Sequence, residues 1–232
     1  MSTTANAEAG VPEILADTRR QLRAPRAAGI AGLLFGILFT AAVLLLRSVP
    51  VYSLTDAGIA RYFADGGDRQ LVIGGLYLGP FACIALIWFI AVVRDQIGDR
   101  EDRFFATLFF GSGVLLVALL FAAMAAVSSL VVGYAYLGLP PPSAEMVTEM
   151  RTLAYTLLFA FATRAAALFM ISTTTAGLRA AVFPRWLAAI GYLAGLLLLL
   201  VVTFFDWIVL VLPAWVAIVS VLILRREWAR AR

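Results

Sequence analysis

Residues 157–172 read LLFAFATRAAALFMIS, an apolar run on the scale of a membrane span with Arg164 in its middle. A guanidinium carries five donors, accepts nothing and stays charged, so at that depth it needs oxygen acceptors, from the protein itself or from an anionic ligand. Few other groups can join it in chemistry. Asp206 breaks the apolar stretch 186–224, Tyr77, Tyr134 and Tyr192 supply hydroxyls, and Ser172, Thr173, Thr174 and Thr175 form a hydroxyl run with no base beside it.

The rest of the chemical alphabet is narrow. All 18 basic residues are Arg, His is absent and Cys83 is the one cysteine. Without an imidazole there is no Ser-His-Asp or Cys-His nucleophile, no His-ligated haem and no Cys/His zinc site. Without lysine there is no Schiff base and no Walker A loop. Aspartyl intramembrane proteolysis needs two carboxylates within spans, and only Asp206 approaches that position. Four carboxylates, Asp95, Asp99, Glu101 and Asp102, lie in one short loop, but three arginines there compete for them. No metal, no cofactor and no catalytic residue is therefore expected. Cys83 within an apolar span reads as a small hydrophobe.

Composition sets the environment in which Arg164 must be placed. The 232 residues are 63% hydrophobic and 14% charged, with a mean hydropathy of +0.97. These values lie far from a soluble domain, which is about half apolar, and imply an all-α polytopic membrane bundle. Six spans of roughly 20 apolar residues can be drawn, at about 27–46, 71–93, 104–128, 153–177, 186–205 and 207–224. The last two must be separate, because a single helix over 186–224 would be about twice as long as the hydrocarbon core is thick.

Residues 1–25 form a basic amino-terminal segment, either an interfacial amphipathic helix or a disordered tail, and are not read as a cleavable signal; 26–226 are the membrane domain and 227–232 a basic tail. Thirteen arginines fall on the side of both termini and only Arg47, Arg61, Arg69 and Arg151 on the other. The positive-inside rule then puts both termini in the cytoplasm. The net charge of +4 is accounted for by topology and by anionic lipid at the cytoplasmic face, so no nucleic-acid partner is expected.

Two segments lie between spans on the opposite side. Residues 48–70 contain a short helix capped by Thr55 or Asp56, with Ile59, Tyr62 and Phe63 on one face and Gly66-Gly67 ending it. After Pro140-Pro141-Pro142, Ser143 caps a fourth helix that begins outside the bilayer. Pro80 and Pro213 are expected to kink their helices. The pairs Gly32/Gly36, Gly75/Gly79 and Gly191/Gly195 mark close helix approach, within the chain or in a homo-oligomer or with another membrane protein.

Three stretches, RAAGIAGLLFG, GDREDRFFATLFFGSG and RAAALFMISTTTAGLRAAVFPRWLAAIGY, together resemble a family of small bacterial six-helix integral membrane proteins with a PRWLAxxGY-like entry to the fifth helix. The resemblance implies the architecture and the bacterial cytoplasmic membrane, and carries no catalytic residue. Within it, Pro184-Arg185-Trp186 reads as an interfacial anchor.

Arg164 is then either a structural brace or the attractor of an anionic group in a small transporter, channel subunit or lipid-binding protein. Ala160, Ala167 and Ile171 share its helical face, so a partner helix can approach there. The candidate acceptors are the hydroxyls of Tyr77, Tyr134 and Tyr192, carbonyls freed near Pro80 or Pro213, and Asp206, which otherwise caps the sixth helix.

Overall fold

The computed structural model describes residues 27, 29–46, 55–97, 103–201 and 205–230. The amino-terminal segment, the carboxylate-rich loop at 98–102 and the last two residues lie outside them. Among the described residues the chain is helical throughout, with no strand. In chain order these are α1 (Gly29–Leu46), α2 (Asp56–Ala64), α3 (Gly66–Ile97), α4 (Arg103–Leu137), α5 (Ala144–Tyr155), a π-helical segment (Thr156–Ala162), α6 (Thr163–Arg179), α7 (Arg185–Leu200), a 3-10 turn (Asp206–Leu210) and α8 (Val211–Arg230). From α5 to α6 the helix is continuous over 36 residues.

Five of these stretches are long and apolar enough to cross a membrane: Gly29–Leu46, Gln70–Arg94, Phe104–Leu137, Ala144–Arg179 and Trp207–Arg226. Their outer surfaces carry large apolar side chains such as Ile37, Trp88 and Phe161, as a lipid-facing exterior requires. The expected fifth span, 186–205, is the shorter α7. Its 16 residues rise roughly 24 Å. It stops at Leu200, where Val201 turns extended while its N–H still bonds to the Leu197 carbonyl. The sequence holds no Gly or Pro at that point.

Helix ends follow their capping residues. Thr55 accepts from Gly58 N–H (3.3 Å) and caps α2, whose Ile59 and Phe63 are buried. The glycines expected to end α2 open α3 instead, because Asp65 caps that next helix by accepting from Gly67 N–H at 2.8 Å. Ser143 caps α5 through Met146 N–H at 3.2 Å, as its position predicts. Asp56 does not cap α2; its carboxylate accepts from Ala144 N–H at 2.6 Å and so joins the first turns of α2 and α5. Pro213 lies in the first turn of α8, where it marks the change from 3-10 to α geometry in place of the expected interior kink. Pro80 does sit inside α3.

Packing is organised around α4 and α6. The α6 helix packs most heavily on α7 and α4. The main core joins Phe35 of α1, Phe89 of α3, Phe109 of α4, Phe169 of α6 and Trp215 of α8, with Cys83 buried among them. Phe109 and Phe169 stack at 5.3 Å, and Phe169 meets Trp215 edge-on at 6.4 Å. A second cluster of Ile59, Phe63, Val72, Leu130, Val131 and Val147 seats α2 on the neighbouring ends of α3, α4 and α5.

All three glycine pairs are used within the chain. A Cβ on Gly32 would lie 2.0 Å from Ser220 Oγ of α8, one on Gly79 would lie 2.0 Å from Met124 Sδ of α4, and one on Gly195 would lie 2.7 Å from Ile171 Cγ1 of α6. Close helix contact at these points depends on the missing side chain.

Candidate intramembrane site around Arg164

The π-helical segment immediately precedes Arg164 and changes the hydrogen-bond register of the long helix. Thr163 N–H bonds to the Leu158 carbonyl, five residues back, and not to Phe159. The Phe159 carbonyl, which in an uninterrupted α-helix would take the Thr163 N–H, instead accepts from Thr163 Oγ1 at 2.6 Å and Arg164 Nη1 at 2.7 Å. Arg164 Nη1 also donates to Thr163 Oγ1 at 2.8 Å. A π bulge inside an α-helix thus creates the acceptor that the arginine occupies.

The second anchor comes from another helix. Arg164 Nη2 donates to the carbonyl of Val201 at 3.3 Å, just beyond the last turn of α7. Here too the acceptor exists because regular helix stops: the final carbonyls of a helix have no intrahelical donor. Arg164 is half-buried, and Ala167 beside it is fully buried where α7 approaches through Gly195. The small residues flanking Arg164 therefore admit a partner helix, and that helix is α7.

The expected acceptors lie elsewhere. Tyr77 is 63% exposed on α3 and its hydroxyl pairs with that of Tyr136. Tyr192 pairs with Thr175 Oγ1 at 2.9 Å. Tyr134 packs edge-on against Phe63 at the α2 end of the bundle. The Asp206 backbone opens the 3-10 turn leading into α8, and its side chain lies outside the described residues. Besides the neighbouring Thr163 hydroxyl, the Arg164 acceptors are backbone carbonyls, as anticipated in kind, but they arise at the π segment and the α7 terminus and not beside the prolines. A π bulge has no marker residue, so nothing in the run TLLFAFA discloses it.

The hydroxyl run about two turns further along α6 is largely satisfied by its own helix. Ser172, Thr173 and Thr175 donate to the carbonyls of Leu168, Phe169 and Ile171 at 2.6–2.8 Å. Thr174 differs. Its Oγ1 and the Trp215 Nε1 are both buried without a hydrogen-bond partner among the described residues, and both face Gly191.

A second arginine emerges that the sequence marks only as one of the four on the side away from the termini. Arg151, half-buried on α5, donates from Nη2 to Tyr155 Oη at 3.1 Å, with its guanidinium 5.2 Å from the Tyr155 ring centroid. Both side chains line a cavity of about 110 Å³ between α1, α4 and α5 whose other lining residues are all apolar.

At the opposite end of the bundle other arginines gather. Arg94 lies 5.0 Å from the Phe110 ring and Arg179 lies 4.4 Å from the Phe105 ring. Arg226 donates to the carbonyl of Val182 in the α6–α7 turn.

No family model matches the chain, and no curated protein and no solved structure matches it.

Proposed function

We propose that the chain is a six-span protein of the bacterial cytoplasmic membrane with a structural or accessory role, in which Arg164 braces the bundle. The carrying observation is the bonding of its guanidinium to the Phe159 carbonyl, Thr163 Oγ1 and the Val201 carbonyl. One charged group thereby holds the interrupted α5–α6 helix to the end of α7. On this reading α7 crosses as the fifth span, and local thinning of the bilayer accommodates its short helix. Both termini are cytoplasmic, in keeping with the thirteen-to-four arginine bias. The likeness to small bacterial six-helix proteins supports the same topology.

The alternative, a transporter, channel subunit or lipid-binding protein that attracts an anion through Arg164, requires the guanidinium to turn from these acceptors to a ligand. Thiol accessibility separates the two. In a Cys83→Ala background, Arg164→Cys is expected to resist a membrane-impermeant maleimide, and Arg164→Leu to melt within a few degrees of the parent, since replacing a buried ion by an apolar side chain of similar size is often neutral. Rapid labelling at position 164 would defeat the brace.

A further inference from the structure

We propose that the cavity between α1, α4 and α5 binds a long-chain fatty acid, its carboxylate at Arg151 and Tyr155 and its chain among the apolar walls. The site is separate from Arg164, and the proposal stands whether or not Arg164 is a brace.

The cavity has one charged wall residue, Arg151, and one hydroxyl, that of Tyr155. The bond from Nη2 to Tyr155 Oη and the stacking on its ring hold the two head groups side by side. A guanidinium fork and an adjacent phenol match the two oxygens of a carboxylate. From this polar end the walls run along α1 from Leu46 to Phe39 and along α4 from Val127 to Leu120. Seven residues of helix rise roughly 10 Å, so the apolar part is elongated along the bundle axis.

Size selects the occupant. A volume of about 110 Å³ is somewhat below that of an engineered apolar cavity, about 150 Å³, that takes up benzene. It holds a stretch of one acyl chain and not two side by side, while the remainder of a long chain extends into the bilayer. An apolar void of this kind forfeits dispersion contacts that an acyl chain restores. The polar end adjoins the α2 cluster, because Leu46 and Val127 belong to the walls and also pack against that cluster. Arg151 thus stands near the end of the bundle, at a depth where a carboxylate can stay close to the headgroups.

The test is scintillation-proximity binding of tritiated palmitate to the tagged full-length protein in non-ionic detergent. Saturable binding is expected, displaced by unlabelled palmitate and not by methyl palmitate or phosphatidylglycerol. Arg151→Gln should weaken binding at least tenfold, and Ala123→Leu, which fills the cavity and leaves the guanidinium, should do the same. Arg61→Gln, on the exposed face of α2, should leave it unchanged. Equal displacement by methyl palmitate would remove the role of the carboxylate, displacement by phosphatidylglycerol would make the occupant a phospholipid, and undiminished binding by folded Arg151→Gln would move the site; each overturns the proposal. If both cavity variants fail to fold, the comparison of palmitate with its methyl ester on the parent protein decides it.

Discussion

Arg164 Nη1 lies 2.7 Å from the carbonyl of Phe159, five residues earlier in the same helix, and that carbonyl also accepts from Thr163 Oγ1 at 2.6 Å. Two side chains therefore share one acceptor, and losing either leaves the other in place. Arg164→Leu and Thr163→Val should each be mild, whereas the double variant should cost about 1 kcal/mol more than their sum, because only it strips the carbonyl of side-chain donors. Unfolding of the four proteins in mixed micelles measures this coupling, and strict additivity would show that the carbonyl is not shared.

Thr174 and Gly191 meet where α6 packs on α7. A Cβ on Gly191 would stand 2.2 Å from Thr174 Oγ1 and 3.0 Å from Trp215 Nε1. Gly191→Ala should destabilise by about 1–3 kcal/mol through overpacking, and Thr174→Ala in the same chain should recover most of it. Thr174→Val is expected to be neutral or slightly stabilising, since it removes a buried hydroxyl that has no partner among the described residues and keeps the shape. A clear loss of melting temperature in Thr174→Val would mean that the hydroxyl is engaged.

The end of α6 carries backbone strain. Ala181 has φ 56°, its N–H bonds to the Leu178 carbonyl and Val182 N–H bonds to the Gly177 carbonyl. This is the hydrogen-bond pattern of a helix ending in a left-handed residue, a position that glycine fills more cheaply. Ala181→Gly should raise stability by about 1 kcal/mol, read as a higher melting temperature in detergent.

Asp56 ties α2 to α5 through the Ala144 N–H. Asp56→Ala should loosen that end of the bundle and leave the membrane-length helices intact. Hydrogen exchange of amides in α2 and at Ala144 should speed up by roughly threefold or more, with no change in α6. Uniform exchange in parent and variant would show that burial of Ile59 and Phe63 alone holds α2.

Much of this architecture is legible in the residue string. Apolar runs of span length, the Ser143 and Thr55 caps and the buried face of α2 follow from hydropathy and local hydrogen-bonding chemistry, which act over a few residues and leave a mark in the order of side chains. The narrow chemistry follows equally directly, since a chain without His or Lys lacks whole reaction classes. Tertiary structure decided what Arg164 touches. Beside the adjacent Thr163 hydroxyl, its acceptors are main-chain carbonyls, which every residue possesses, exposed by a register shift in one helix and by the ending of another 37 residues away. It likewise brought Arg151 and Tyr155 to the wall of an apolar cavity built from α1 and α4. Such sites depend on where regular helix fails and on which helices pack together, and neither is written in the type or spacing of the side chains concerned.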